Sequence, residues 1–128
     1  MRLITHNFLK CNIKGLDEAQ GYPLRIECNE KEIIPSEYSE DLVRNVIRKI
    51  DFDALKSACK DLLVGEAIQS LKHWNPEMIE SNSEMLKELY HILFDTHVQD
   101  GNLICPTTGR KFPVKDGIPN MLLHEYEV

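Results

Sequence analysis

Apolar residues follow two rhythms along this chain, and the change of rhythm marks its organisation. Residues 2–34 read as extended. Leu3-Ile4-Thr5 is a short run of strand formers, Lys14-Gly15 and Gln20-Gly21 punctuate as turns, and Tyr22-Pro23-Leu24-Arg25-Ile26-Glu27-Cys28 alternates, with Leu24, Ile26 and Cys28 on one face. Pro35 closes this region, and the period changes from two to about 3.6. Ser39 is a candidate cap for a helix that opens on Glu40 and Asp41, where acidic side chains suit the positive end of the helix dipole. Leu42, Val43, Val46, Ile47 and Ile50 form its apolar stripe. Asp51 or Asp53 restarts the helix, and Phe52, Leu55, Ala58, Cys59, Leu62 and Leu63 continue a buried face. Residues 65–76 are weakly patterned and predict a loop holding Trp74. Ser81-Asn82-Ser83-Glu84 offers a capping box before a second amphipathic helix built on Met85, Leu86, Leu89, Tyr90, Ile92, Leu93 and Phe94.

The period returns to two near the end. Asp100-Gly101 predicts a hairpin turn between His97-Val98 and Leu103-Ile104, Thr108-Gly109 a second turn, and Asp116-Gly117 a third after Lys111-Phe112-Pro113-Val114. Ile118-Pro119-Asn120-Met121-Leu122-Leu123 then reads as a closing strand, its proline suited to an edge position. An apolar edge strand invites pairing with another chain unless something covers it; the competing reading is an ordinary buried strand. Strands, then helices, then strands are packed most simply as an α+β domain. One small antiparallel sheet forms from residues 1–35 and 99–128, and residues 36–98 are a helical insertion.

With 128 residues, 42% hydrophobic and 28% charged, the chain has the size and composition of one folded domain. A net charge of −6 argues against a surface that grips phosphates by itself, because such surfaces carry a basic excess. The charge is uneven. Between Ser36 and Asp100 stand 13 acidic and 7 basic residues, whereas the rest of the chain holds 8 of each, including Lys10, Lys14, Arg110, Lys111 and Lys115. The four cysteines (Cys11, Cys28, Cys59, Cys105) are irregularly spaced, which fits reduced thiols better than a disulfide scaffold. No apolar signal segment follows Met1 and no stretch reaches the ~20 apolar residues of a membrane span, so the expectation is a soluble intracellular protein.

Catalytic chemistry finds little purchase. No two glycines stand as Gly-x-Gly, so neither a phosphate loop nor a dinucleotide or S-adenosylmethionine glycine loop is present, and no Gly-x-Ser-x-Gly occurs. His91 and His97 are six apart, not the four that put two ligands on one helix face. Cys105-Pro106-Thr107-Thr108-Gly109 has the outline of a zinc knuckle, but Thr108 stands where the second thiol belongs.

Three segments carry a resemblance. Arg2-Leu3-Ile4-Thr5-His6-Asn7-Phe8-Leu9, Gly21-Tyr22-Pro23-Leu24, and the run from Cys105 through Lys111-Phe112-Pro113 to Asp116-Gly117-Ile118-Pro119-Asn120-Met121-Leu122-Leu123 resemble the eukaryotic multifunctional methyltransferase subunit family. The resemblance implies a zinc-ribbon-like sheet made from both termini and no catalytic activity. It implies alternative heterodimers with several class I methyltransferases that modify tRNA, ribosomal RNA in ribosome biogenesis, and the class I translation termination factor. S-adenosylmethionine would be bound only by the partner and RNA met only through the complex, in cytoplasm and nucleus. The partner-binding residues carried over are Ile118, Pro119, Asn120, Met121, Leu122 and Leu123 as an added strand, with Thr5, Asn7 and Phe8 beside it. Zinc-binding members place two cysteines five apart near the start and two more three apart in the knuckle. Here Cys11 and Cys105 match, but Leu16 and Thr108 replace the others, so no structural zinc is expected and the two thiols are remnants. Two competing functions are a degenerate zinc-ribbon module that binds RNA directly and a thiol enzyme pairing a cysteine with a histidine.

Overall fold

A computed structural model describes the whole chain except Glu18, Lys72 and Trp74; the expected placement of Trp74 lies outside the described residues. The order is α1 (Leu3–Phe8), β1 (Arg25–Ile33), α2 (Glu40–Val46), α3 (Phe52–Leu62), α4 (Glu66–Ser70), α5 (Pro76–Glu80), α6 (Ser83–Asp95), β2 (Thr96–Ile104), β3 (Lys111–Lys115), β4 (Ile118–Pro119), and a closing 3-10 turn, Glu125–Glu127. The four strands form one antiparallel sheet in the order β1-β2-β3-β4. The architecture is therefore α+β, with α1 before β1 and α2–α6 lying between β1 and β2 in sequence. Leu3, Leu24, Ile47, Leu55, Ile68, Leu86, Leu89, Leu93, Leu103 and Phe112 are all fully buried in one core shared by the helices and the sheet.

Local rules explain the elements that follow the sequence pattern. Ser39 caps α2 by accepting from the Leu42 N–H at 3.3 Å, and Asp51 caps α3 by accepting from the Ala54 N–H at 2.9 Å. Val43, Ile47 and Ile50 turn inward from the first stripe, and Leu55, Ala58, Cys59 and Leu62 from the second. The Asp61 carboxylate joins helix to sheet, accepting from the Ile26 N–H at 3.0 Å and from the Arg25 guanidinium at 2.5 and 3.0 Å.

Five expectations are corrected. Leu3-Ile4-Thr5 is helix, not strand. Leu3, Ile4 and Asn7 are buried at helical spacing, a pattern too short to be told from strand by composition. A six-residue helix does not stand alone, and tertiary bonds hold this one. The Asn7 side chain donates to the Asp51 carbonyl and accepts from the Asp51 N–H, both at 2.9 Å. The Tyr22 hydroxyl donates to the Asn7 carbonyl at 2.5 Å. Asp100-Gly101 is not a turn. β2 runs straight through it, and glycine is needed because a Cβ there would lie 2.1 Å from the Glu27 carbonyl oxygen of β1. Residues 65–76 are not one loop but contain α4, pinned by buried Ile68, and open α5, capped by Asn75. Asn82 caps α6 by accepting from the Met85 N–H at 3.2 Å, so Ser81 belongs to the end of α5. The closing strand is shorter than expected. Only Ile118 and Pro119 are in the ladder, opposite Lys115 and Val114.

The turns at Thr108-Gly109 and Asp116-Gly117 stand where expected. Gly109, at a φ of 75°, donates to the Cys105 carbonyl at 3.0 Å, and Asp116 and Gly117 both take positive φ in the β3–β4 turn. No helix among the described residues is long and apolar enough to cross a membrane.

Candidate interaction edge

The site begins with a contrast between two consecutive strands. Phe112 and Val114 of β3 point into the core, whereas Ile118, the first residue of β4, is 71% exposed. β4 is the outermost strand of the sheet, so the side of its backbone away from β3 faces outward. Beyond it the chain stays close to the domain without forming strand. The Asn120 N–H donates to the Pro113 carbonyl at 2.9 Å, and the Asn120 side chain accepts from the Leu122 N–H at 3.1 Å. Met121 and Leu123 pack against the core, and Leu122 is left 79% exposed. The predicted edge thus divides. Ile118 and Leu122 face out, while Pro119, Met121 and Leu123 are half-buried supports.

A part-buried ion pair secures the tail behind that edge. Arg110 donates to both oxygens of the Glu127 carboxylate, at 2.9 and 3.2 Å, and to the Leu122 carbonyl at 3.4 Å. Glu127 also accepts from the His124 N–H at 2.8 Å through its carboxylate and from the Lys14 N–H at 2.7 Å through its carbonyl. The Arg110 hydrogen bond, with that of His124, holds the Glu127 carboxyl below its ordinary pKa, and the guanidinium lies 4.9 Å from the centre of the Phe112 ring. The strap was not foreseen from the sequence, since nothing about Arg110 and Glu127, 17 positions apart, signals a pair. Tyr126 and Val128 of the same tail are exposed as well, with the Tyr126 ring stacked on His124.

The opening residues complete the same corner. Arg2 bridges to His97, the Val98 N–H donates to the Met1 carbonyl at 2.7 Å, and the Met1 ammonium donates to the carbonyls of Val98 and Gly117 at 2.8 and 2.5 Å. Burial lowers the pKa of that ammonium, and Arg2 lowers it further. A cleft of about 330 Å³ results, lined by Met1, Arg2, Thr5, His97, Gly117, Ile118 and Pro119. Thr5 therefore does lie with β4. Asn7 and Phe8 do not. They line a separate cleft of about 390 Å³ with Lys10, Tyr22, Lys49 and Asp51, where Phe8 is exposed but the Asn7 amide is spent on Asp51. In that cleft burial, with the Asp51 charge, pushes the Tyr22 hydroxyl up to about 12, so it remains a donor across the neutral range.

Cys11 and Cys105, from opposite ends of the chain, are both buried in the same core, where burial pushes the Cys11 thiol up and, against burial, hydrogen bonds from Thr108 help to draw the Cys105 thiol down. The Thr108 N–H donates to the Cys105 sulfur at 3.5 Å. Leu16 packs against the core, and Thr108 offers only its neutral side chain. A tetrahedral zinc needs four donors; this corner supplies two thiols, and no group of three or more His, Cys, Asp or Glu among the described residues could hold a metal.

Known proteins resemble this chain along nearly its whole length. The family model described as Trm112p-like protein matches residues 2–117. The multifunctional methyltransferase subunit TRM112 homolog A of Arabidopsis thaliana is 45% identical, with both chains covered in full. The TRM112-like protein of Bos taurus is 37% identical over 99% of this chain and 98% of its own, and TRM112 of Saccharomyces cerevisiae is 26% identical over 96% of each. Among solved structures, a chain of the E. cuniculi Mtq2-Trm112 complex, responsible for methylation of the eRF1 translation termination factor, is similar in fold. Its TM-score is 0.59 at 19% identity, over 95% of each chain.

Proposed function

This chain belongs to the Trm112p-like protein family, and on that premise we propose that it is a non-catalytic subunit that binds, stabilises and activates S-adenosylmethionine-dependent methyltransferases. One observation carries the reading. Apolar Ile118, on an outer strand of the sheet, and Leu122, just beyond that strand, both stand exposed outside the buried core. An added strand pairs through backbone groups, so enzymes with different side chains can share one site. Covering roughly 1,000 Å² or more there makes an interface stable, and binding only the folded enzyme stabilises it by mass action.

Residues 118–123, with Thr5 beside them, form the centre of the proposed surface, and Phe8 its outlying member. Asn7 acts indirectly, by holding α1 against Asp51. The substrates proposed are those of the partners: tRNA, ribosomal RNA, and the class I termination factor, the last supported by the complex to which the fold is similar. The absence of any Gly-x-Gly run supports leaving S-adenosylmethionine to the partner, and the net charge of −6 supports meeting RNA only through the complex. The two-thiol corner supports a chain without structural zinc, and activity in both cytoplasm and nucleus follows from the range of substrates proposed.

The test is affinity capture of the tagged chain from its own cells, followed by mass spectrometry. Several methyltransferases should be recovered, and each should fall at least tenfold when Ile118 and Leu122 are both changed to Asp, because an unpaired charge buried in an interface is costly. Recovery of RNA without a methyltransferase would overturn the proposal.

A further inference from the structure

Leu16 and Thr108 interrupt the cysteine pattern, yet the two surviving thiols are held together by bonds that need no metal. The Cys11 N–H donates to the Gly21 carbonyl at 2.8 Å. Gly21 fits so closely that a Cβ on it would lie 2.3 Å from the Cys11 carbonyl oxygen. From the other side, the Thr107 hydroxyl donates to the Gln20 carbonyl at 2.7 Å, and the Thr108 and Gly109 N–H groups close the turn on the Cys105 sulfur and carbonyl at 3.5 and 3.0 Å. The backbones on both sides are therefore tied to the same short segment, residues 20–21, which brings the two buried cysteines to one corner. Both are free, and so are Cys28 and Cys59, which lie on β1 and α3. A cleft of about 180 Å³, lined by Lys10, Cys11, Asn12, Ile13, Lys14, Leu16 and Asp17, leads to this corner from solvent. A water molecule takes up roughly 30 Å³ of liquid, so the cleft admits a reactant as small as hydrogen peroxide.

We propose that Cys11 and Cys105 are a peroxide-sensitive dithiol site that closes to an intramolecular disulfide, linking the opening segment to the β2–β3 turn. Cys11 lines the cleft, and its sulfur attacks one peroxide oxygen. The O–O bond breaks, hydroxide leaves and takes up the thiol proton as water, and Cys11 becomes a sulfenic acid. The Cys105 sulfur then attacks the Cys11 sulfur. The S–S bond forms as the S–O bond breaks, and the hydroxide released combines with the Cys105 proton as a second water. The two thiols lose two electrons and two protons, and one peroxide is reduced to two waters. The disulfide spans the helices between its ends in sequence, so it restricts the unfolded chain strongly and restores the link that the incomplete ligand set cannot make.

The test treats the purified, reduced full chain with hydrogen peroxide in the presence of a chelator. Intact mass should fall by two hydrogen atoms, alkylation should count two remaining thiols of the four, and peptide mapping should join Cys11 to Cys105. The thermal midpoint should rise by about 5 °C or more and return with dithiothreitol. A Cys28→Ser chain should behave alike, and in a Cys11→Ser chain the crosslink should disappear. Four alkylatable thiols after treatment, a crosslink through Cys28 or Cys59, or oxygen gained on single cysteines without a crosslink would each overturn the assignment.

Discussion

β3 and the segment that follows it are close in sequence and alike in apolar content, yet they meet opposite fates. Phe112 and Val114 are fully buried in the core, whereas Ile118 and Leu122 are among the most exposed large apolar residues of the chain. Position in the sheet makes the difference. β3 has a strand on each side and β4 has one, and only two residues of β4 reach the ladder. Hydrophobicity alone therefore does not say which segment is core and which is surface. Apolar side chains left outside the core, beside a tail held by the Arg110–Glu127 strap, are what the proposed partner would cover.

Truncation sharpens the comparison most strongly. Phe112→Ala should cost about 3–5 kcal/mol of folding stability, measured by urea unfolding, because it empties a site with no exposure. Asn7→Ala should cost about 1–3 kcal/mol by the same measurement, since it leaves the Asp51 N–H and carbonyl unpaired and frees α1. Acid should act first on the buried end, before it reaches the lowered Glu127 carboxyl behind the edge. His6 is buried, its Nε2 lies 2.7 Å from the Leu24 carbonyl, and its Nδ1 is without a partner. Burial lowers its pKa below the ordinary 6.5, with the Leu24 carbonyl and Asp61 opposing in part. The unfolded chain therefore takes a proton near pH 6.5 that the folded chain refuses. Stability is complete above that pH and is lost as pH falls from there towards the folded value, with a slope of at most about 1.4 kcal/mol per pH unit. A His6→Gln chain should lack that share of the slope. The smallest effect belongs to the edge. Leu122→Ala should change folding stability by no more than about 0.5 kcal/mol. A loss as large as that at Phe112 would break the comparison, by showing that the edge belongs to the core.

Much of the fold was legible because its cues are local. The caps at Ser39 and Asp51, the stripe of α6, and the turns at Thr108-Gly109 and Asp116-Gly117 each declare themselves within a few residues. The failures arise where a distant partner decides. Leu3–Phe8 is helix because Asp51, Tyr22 and Leu24 hold it, and Asp100-Gly101 is strand because β1 passes too close for a side chain. Of the candidate site, the apolar run at 118–123 could be read directly, but not its division into outward Ile118 and Leu122 and inward Met121 and Leu123. Nor could Met1, Arg2 and His97 be foreseen around Thr5, since their contacts cross nearly the whole chain. The meeting of Cys11 with Cys105 followed from the family resemblance and not from spacing alone.

The central claim is that a methyltransferase covers the outer edge formed by residues 118–123. Hydrogen exchange of that segment tests it most directly, measured by mass spectrometry on the free chain and on its purified complex with a methyltransferase. The account predicts that exchange across 118–123 slows at least tenfold in the complex, while the segment carrying Phe112 and Val114 is slow in both. A stable complex in which residues 118–123 exchange as fast as in the free chain would contradict it and move the interface elsewhere on the molecule.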